Sequence, residues 1–315
     1  MTTAIALWLV IGGGVVAYVG WAAIAIAHGA EPWWYLALAV AIYPLAVGAI
    51  TTFWFALAWM FRAPRPPRAK LGVGASLRLF WNEGSAIARF PRMALYKWLI
   101  RDPRPAPAAA PVLLLHGVLC NAGVWYGFRK DLAARGLAPL YTLSYGPPLA
   151  SIDVFAAQVA KKIEYIRRAT GASHVAIVGH SMGGLVARAY LRRFGAQWVS
   201  ALIMFGAPHH GSVHAWLFPG ACLRQLRPGN PWLAELNQNE DAEPAVPMVS
   251  IWSRHDSMVA PQTSCRLHCA RNIEVIGVGH NALLNDERVR TLVAGELKRI
   301  AREASRRQVV GETVA

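Results

Sequence analysis

The sequence predicts an α/β fold, with a mostly parallel β-sheet covered by helices on both faces, preceded by a hairpin of two membrane-length helices. Three observations support this prediction. From Pro111 onward, short apolar runs alternate with helical patterns, and such alternation places crossover helices over a parallel sheet. Two long uncharged stretches precede this part of the chain. Near its middle, a buried-strand pattern, a glycine-rich turn and a helical pattern follow one another around Ser181.

The first 62 residues are predicted to form a transmembrane helical hairpin. Ala4–Ala27 contains no charged residue and is long enough to cross a bilayer as a helix. Trp33–Phe61 is a second such stretch, with tryptophans near both ends, where aromatic belts lie. Only His28–Pro32 separates the two stretches. Ala25–Ala27 resembles the cleavage site of a signal peptide, but no basic residue precedes the first stretch, as a signal peptide would require.

The positive charge of the chain is concentrated directly after this hairpin. The 315 residues have a net charge of +15, and Arg62–Arg104 contains ten basic residues against two acidic ones. Basic residues beside a membrane span orient it and attract anionic lipid head groups. We therefore expect membrane contacts instead of nucleic-acid binding, with the bulk of the chain in the cytoplasm.

Residues 63–110 are predicted to be a basic, proline-rich juxtamembrane linker with an amphipathic segment. Ala63–Ala69 and Arg101–Pro111 are rich in proline, which favours extended, semi-rigid backbone. Between them, Leu71–Ile100 mixes large aromatic with basic side chains. Two interpretations of that segment remain open: a segment in the membrane interface, or a helical arm packed on the domain that follows.

Residues 111–304 are predicted to form the α/β domain, and residues 305–315 a flexible basic tail. The predicted strands are Val112–Leu115, Pro139–Tyr145, Val175–Val178, Val199–Phe205, Met248–Trp252 and Ile273–Val278. Helical faces follow the first three strands, and Asn285–Arg302 is predicted to be the closing helix because acidic residues come early in it and basic residues late. Ligands of such sheets meet the carboxyl ends of the strands, and Ser181 lies at one of these ends.

The segment G-H-S-M-G has the features of a nucleophile on a tight strand–turn–helix connection. Gly179, Gly183 and Gly184 surround Ser181, and their lack of β-carbons permits a sharp turn with a helix packed closely behind it. A serine hydroxyl needs a base to take its proton and an acid to orient that base. In chain order the acid and then the base follow later strands, and Asp256 and His280 occupy such positions. We therefore predict a catalytic triad of Ser181, Asp256 and His280.

Asp241 and Asp286 are weaker candidates for the acid because neither directly follows a predicted strand. A tetrahedral intermediate also needs two N–H donors for its oxyanion. One is expected from Met182, which follows the nucleophile, and the other from Val118, in the loop after the first strand of the sheet. Cys120, in the same loop, is predicted to be a small wall residue.

The predicted substrate-binding residues come from this loop and from an apolar insertion over Ser212–Asn239. They are His116, Gly117, Leu119, Trp216, Leu217 and Phe218. The insertion has two interpretations: a cap over the site or helices packed in the core. Cys265, His268 and Cys269 lack an evident fourth ligand for zinc, so we expect neither a metal nor a cofactor.

Four features together resemble the α/β-hydrolase superfamily, and within it bacterial triacylglycerol lipases and esterases with an H-G-x oxyanion loop. They are P-V-L-L-L-H-G, V-G-H-S-M-G-G-L-V-A-R, F-G-A-P-H-H-G-S and the later Asp256 and His280. The resemblance covers about Pro111–Arg302 and implies an α/β-hydrolase fold, ester hydrolysis, and oxyanion donors at Val118 and Met182. The chain departs from the usual secreted form of these enzymes because a membrane hairpin stands in place of a cleaved signal.

The sequence therefore predicts a membrane-anchored serine hydrolase that cleaves carboxylic esters, with lipid esters as substrate. The resemblance to bacterial enzymes, together with the basic residues after the hairpin, predicts a bacterial inner membrane with the catalytic domain in the cytoplasm. Two alternatives are an esterase or thioesterase acting on small soluble substrates, and a non-catalytic hydrolase-like scaffold on the membrane. If the anchor and the catalytic domain are separable, a chain beginning near Ala106 is expected to keep its rate on short, water-soluble esters.

Overall fold

We describe the fold from a computed structural model of the chain. The backbone is described for residues 3–238 and 240–313, and the side chains for residues 9–238 and 240–303. The side chains of the predicted tail at 305–315 are not described, but its backbone continues the closing helix as far as Thr313, beyond the predicted end at Arg302.

Two long apolar helices open the chain. They are α1 (Thr3–Ala27) and α2 (Pro32–Met60). Leu9–Ala27 and Pro32–Met60 have mean hydropathies of 2.1 and 2.0, and only 6% of each is buried. Both helices are long and apolar enough to cross a membrane. The Tyr18 hydroxyl donates a hydrogen bond to the carbonyl of Tyr35, at 2.5 Å, which joins the two helices.

The segment that follows folds as a helical arm, with α3 (Val73–Ala88) and α4 (Arg92–Leu99). α3 runs antiparallel to α2: the Tyr43 hydroxyl donates to the carbonyl of Ala88 at 2.6 Å, and the rings of Phe55 and Phe80 lie 6.2 Å apart. Another face of α3 is buried against the α/β domain. Of the two interpretations of Leu71–Ile100, the structure therefore favours the packed arm, although Trp81 on α3 remains exposed.

The α/β domain is built on one six-stranded parallel sheet. Its strands are β1 (Val112–Leu115), β2 (Leu140–Leu143), β3 (Val175–His180), β4 (Val199–Phe205), β5 (Met248–Ser253) and β6 (Arg271–Val275). Their order across the sheet is β2-β1-β3-β4-β5-β6. All six predicted strands are present. β6 ends at Val275 instead of the predicted Val278, because the chain turns at Gly277, whose φ of 75° does not continue a strand.

Helices cover both faces of this sheet, as predicted. They are α5 (Tyr126–Ala134), α6 (Ile152–Thr170), α7 (Met182–Phe194), α8 (Ala221–Gln225), α9 (Pro231–Leu236) and α10 (Glu287–Thr313). α6 and α7 bury their apolar sides in the core on one face of the sheet, and α5 and α10 do so on the other. These two layers hold the strands rigidly, so that loops at their carboxyl ends can be positioned accurately.

The insertion predicted at 212–239 packs partly in the core and partly beside the carboxyl edge of the sheet. It forms a short 3-10 helix at Val213–Trp216 followed by α8 and α9. Leu233 and Leu236 are buried in the core, whereas the first part of the insertion reaches the carboxyl edge of the sheet.

Candidate active site

Ser181 lies between the last residue of β3 and the first residue of α7. Its φ of 56° and ψ of −130° put a non-glycine residue in a region that L-amino acids rarely adopt. The Ser181 N–H donates to the carbonyl of Phe205 at 3.0 Å, which fixes the turn to β4. The half-buried side chain is therefore held at the carboxyl edge of the sheet by a strained backbone.

The glycines around Ser181 are required by close packing. A β-carbon on Gly183 would lie 2.2 Å from the carbonyl oxygen of Leu115, and one on Gly184 would lie 2.7 Å from Cβ of Ala207. Both distances are far below van der Waals contact. α7 can therefore begin directly behind Ser181 only because these positions lack side chains, as the sequence predicts.

His280 and Asp256 lie beside Ser181 in a hydrogen-bonded series. His280 Nε2 is 3.0 Å from Ser181 Oγ, and His280 Nδ1 is 2.9 Å from Asp256 Oδ2. His280 and Asp256 are buried, with 4% and 1% of their surface exposed. The other carboxylate oxygen of Asp256 accepts bonds from the N–H groups of Met258 and Val259 at 2.8 and 2.7 Å. The acid is thus held rigidly by the backbone of its own loop.

The electrostatics of the site distinguish His280 from the other buried histidines. Burial alone lowers the pKa of His280, but the charge and hydrogen bond of Asp256 and the charge of Glu83 outweigh it and raise the pKa above the ordinary value. Burial lowers the pKa of His116 and His214 to about 4 in each case. Burial, with the nearby His280, also lowers the pKa of His180. His280 is therefore the group suited to accept a proton from Ser181.

The alternative acids lie elsewhere. Asp241 contacts His268 at the surface, and Asp286 accepts bonds from the N–H groups of Arg288 and Val289 at the start of α10. Neither carboxylate is among the hydrogen-bond partners found for His280.

The segment after β1 lies directly against Ser181. A β-carbon on Gly117 would be 3.0 Å from Cβ of Ser181 and 3.3 Å from its Oγ. The next residue, Val118, lines the same cavity as Ser181. Met182 is the first residue of α7, and the first N–H groups of a helix have no partner within it. Both predicted oxyanion donors thus lie on the segments that flank Ser181.

Ser181 and His280 open into an apolar cavity of about 250 Å³. The lining residues from the α/β domain include Gly117, Val118, Leu119, Cys120, His180, Pro208, Ser212, His214, Ala215, Phe218, Leu223, Leu226, Met258, Val259 and Asn281. Burial raises the pKa of the Cys120 thiol to about 12, so the thiol is uncharged. The predicted substrate-binding residues Gly117, Leu119 and Phe218 are among these lining residues.

The other three predicted substrate-binding residues lie off this wall. The His116 ring is buried and stacks on Tyr145, with ring centroids 4.0 Å apart. Trp216 and Leu217 are 60% and 45% exposed, and the guanidinium of Arg227 covers the Trp216 ring at 4.4 Å. Residues three positions apart lie on the same side of a 3-10 helix. Ala215 and Phe218 therefore both face the cavity, whereas Trp216 and Leu217 face away from it.

The N-terminal region supplies part of the cavity wall, which was not predicted from the sequence. Trp54 of α2 lines the cavity together with Ile87 of α3 and Phe90, which follows α3. The Trp54 ring lies 5.3 Å from that of His214 and 6.0 Å from that of Phe218. Apolar residues in an apolar stretch carry no local signal of this role.

Comparisons with known proteins agree with this architecture. Residues 110–245 match the sequence model of the α/β hydrolase fold. Two curated triacylglycerol lipases, from Pseudarthrobacter phenanthrenivorans and Burkholderia plantarii, are each 32% identical to this chain over 114 residues. The match covers 33% of this chain and 35% and 31% of those proteins. The chain thus spans about a third of the length of these relatives.

Solved structures share the fold at low sequence identity. The mature lipase of Bacillus licheniformis has a TM-score of 0.55 at 18% identity, over 63% of this chain and 96% of that one. Lipase B of Aspergillus fumigatus has a TM-score of 0.57 at 17% identity, over 81% of each chain. The predicted α/β-hydrolase fold is confirmed.

Proposed function

We propose that this α/β-hydrolase-fold protein is a membrane-anchored serine hydrolase that cleaves the carboxylic esters of lipids. One observation carries the proposal: the series Asp256–His280–Ser181 opens into an apolar cavity whose wall includes a residue of the long apolar helix α2. Serine hydrolysis needs such a series, and an acyl chain needs such a cavity.

The positions of the atoms support the following chemistry. His280 Nε2 takes the proton of Ser181 Oγ as the oxygen attacks the ester carbonyl carbon. The carbonyl oxygen becomes an oxyanion and accepts bonds from the N–H groups of Val118 and Met182. His280 then gives its proton to the departing alcohol, which leaves an acyl group on Ser181. Water attacks this ester with His280 again as the base, and His280 returns that proton to Ser181 Oγ as the bond to the acyl group breaks and the acid is released. Asp256 orients the imidazole and stabilises its charged form throughout.

The cavity favours the acyl part of a lipid. Apart from the reacting residues, its wall is formed mostly by aliphatic and aromatic side chains, with an uncharged thiol, neutral histidines and the uncharged polar side chains of Ser212 and Asn281. Burial of each methylene of an acyl chain contributes about 0.8 kcal/mol, so longer chains gain affinity until the cavity is full.

The long apolar helices support placement of this cavity at a bilayer. α2 has 29 residues, which corresponds to about 43 Å of helix, whereas a bilayer has about 30 Å of hydrocarbon. The last turns of α2, which include Trp54, therefore extend to the point where the helix leaves the hydrocarbon. A site tethered there meets its apolar substrate at a high local concentration.

A fluorophosphonate probe tests the serine chemistry. We expect the full-length protein in detergent to be labelled at Ser181 and Ser181→Ala to remain unlabelled. A wild-type protein that is folded but unlabelled would exclude the proposed mechanism.

The lipid substrate requires a separate test. Trp54→Ala should lower the rate on long-chain glycerides dispersed in vesicles more than the rate on short p-nitrophenyl esters. Trp33→Ala is the matched control, because this tryptophan lies at the far end of the same helix and is 74% exposed. Equal rates of wild-type protein and Trp54→Ala on long chains would contradict the assignment of the cavity.

A further inference from the structure

A buried carboxylate from the helical arm lies behind the catalytic loops. Glu83 of α3 is 0% exposed. One of its oxygens accepts hydrogen bonds from the hydroxyl of Ser257 at 2.6 Å and from the backbone and side-chain N–H groups of Asn281 at 3.1 and 2.9 Å. The other oxygen accepts from the N–H of Ala282 at 2.9 Å. Four donors therefore hold this one side chain.

These donors belong to the two loops that carry the base and the acid. Ser257 follows Asp256, and Asn281 follows His280. The Ser257 hydroxyl, which donates to Glu83, also accepts a bond from the backbone N–H of His280 at 3.3 Å. Glu83 thus ties the acid loop to the histidine loop and fixes the backbone at His280 itself.

The loop before His280 is shaped to admit this carboxylate. A β-carbon on Gly279 would lie 2.4 Å from Oε2 of Glu83 and 2.6 Å from its Cδ. Any other residue at position 279 would have to displace the carboxylate. The neighbouring residue of the arm, Gly84, faces α2, and a β-carbon there would lie 3.4 Å from Oγ1 of Thr51. The contact therefore extends from the apolar helix through α3 to the catalytic histidine.

The burial of a carboxylate is costly unless it is compensated. Among the ion pairs of the described residues, none involves Glu83. Hydrogen bonds satisfy its oxygens, and its negative charge favours the imidazolium form of His280, whose pKa it raises. A fixed charge that is directed at a charge formed during the reaction stabilises the transition state more than the ground state.

We propose that Glu83 is a positioning residue for His280, supplied by the helical arm, so that α3 completes the active site of the α/β domain. The inference rests on the proposed function, because it assigns a role within the same triad. It implies that the arm does more than connect the apolar helices to the α/β domain. If α3 moved away from the domain, the triad residues would remain, but Glu83 would no longer link the loop of Asp256 to the loop of His280.

Glu83→Gln in the full-length protein tests this role, because the amide has the same size but no charge. On a short soluble ester we expect kcat to fall about tenfold or more, which corresponds to about 1.4 kcal/mol, with little change in KM. The acidic limb of the kcat profile should move to lower pH, since loss of the carboxylate lowers the pKa of His280. The other groups that face His280 are Asp256, which is unchanged, and His180 and His214, which are neutral.

Three further variants separate positioning from general stability. Ser257→Ala removes the hydroxyl between Glu83 and His280 but leaves the charge, so kcat should fall without a comparable shift of the acidic limb. Its effect should not add to that of Glu83→Gln, because both break one connection. Gly279→Ala, which displaces the carboxylate, should resemble Glu83→Gln. Asn82→Gln, on an exposed neighbour on α3, should leave both kcat and the pH profile unchanged.

Failure of this inference is distinguishable from failure of the proposed function. Labelling of wild-type Ser181 by a fluorophosphonate tests the proposed function alone. If the wild type is labelled and Glu83→Gln loses only thermal stability, with the wild-type kcat and acidic limb, Glu83 is structural and the inference is wrong. If Glu83→Gln does not fold, wild-type kcat in both Ser257→Ala and Gly279→Ala would likewise show that Glu83 does not position His280.

Discussion

Ser181, His280 and Asp256 follow three different strands, and hydrogen bonds of 3.0 and 2.9 Å join their side chains. Because parallel strands end at one edge of the sheet, residues 99 and 24 positions apart in sequence become neighbours. The sequence predicted all three from the order of strands and motifs. The distances between them are a property of the assembled sheet.

Substitutions in this series should reduce turnover without loss of the fold. Ser181→Ala is expected to abolish hydrolysis, since no other hydroxyl in the described part of the chain is hydrogen-bonded to Nε2 of His280. Asp256→Asn should cost about 10⁴ in kcat, the loss found in a comparable protease triad when the imidazole is held in the wrong tautomer. Asp241→Asn is the matched control and should retain the wild-type rate. A reversal of the last two results would transfer the acid to Asp241.

The pH profile should report the environment of His280. The base must be neutral to accept the serine proton, and its pKa is raised above the ordinary 6.5. kcat/KM should therefore decline as the pH falls through a value above 6.5, and not below it. Rates on a water-soluble ester from about pH 5 to 9 measure this limb. An inflection below 6.5 would mean that burial of the ring lowers the pKa of His280 by more than Asp256 and Glu83 raise it.

The junction of β3 and α7 shows at the level of elements how close packing creates the site. The helix starts immediately after the strand, and its first turn touches the backbone of β1. A longer connection would remove the close approach and, with it, the positive φ that presents Ser181 to the cavity. The glycines of this turn are therefore part of the architecture of the fold.

Gly183→Ala should consequently destabilise the protein. Its new β-carbon would lie 2.2 Å from a backbone oxygen that has no freedom to rotate away, and overpacking of this kind costs about 1–3 kcal/mol. Gly295→Ala, in the middle of α10 with open space around it, should instead stabilise the helix by up to about 1 kcal/mol. Thermal unfolding of both variants measures the contrast. A similar Tm for the two would show that β1 can shift to accommodate the methyl group.

On the scale of the whole molecule, the apolar helices, the arm and the α/β domain are packed together instead of being joined by a free linker. Gln262, in the loop after Asp256, donates to the carbonyl of Ala58 at the end of α2 at 3.4 Å and accepts from the N–H of Ala63 at 3.2 Å. The exit of the chain from α2 is therefore attached to the loops around the active site.

The charge distribution predicts an orientation in the membrane, which can be tested on whole cells. His28→Cys, in the short connection between α1 and α2, should react with a membrane-impermeant thiol reagent. Ala109→Cys, beyond the basic region, should react only after the cells are permeabilised. The native cysteines set the background, which the unsubstituted protein measures. Labelling of Ala109→Cys on intact cells would place the α/β domain on the outer side.

The packing also bears on whether the α/β domain can act without the N-terminal helices and the arm. The sequence suggested that a chain beginning near Ala106 would still hydrolyse short soluble esters. Since Glu83, Ile87 and Phe90 contribute to the catalytic loops and the cavity, we now expect such a chain to lose rate on soluble and vesicle-borne esters alike. Full activity on soluble esters would show that the arm is dispensable, and would also contradict the role inferred for Glu83.

What the sequence determined by itself is whatever depends on neighbours along the chain. Short apolar runs specified six strands, uncharged stretches specified two long helices, and glycine spacing around Ser181 specified the sharp turn. These features arise from local sterics and hydrophobic periodicity, which depend only on residues close together in the sequence.

Only the tertiary structure decided which distant residues meet. Trp54 joins the cavity from the second apolar helix, and Glu83 reaches Asn281 across 198 positions of sequence. Glu83 had one local signal, as a lone acid between Arg62 and Arg101, but nothing nearby indicated its partners. Contacts of this kind depend on how the arm packs against the sheet, and packing is a cooperative property of the whole chain. The sequence contains Trp54 and Glu83, but only the fold brings them into contact with the active site.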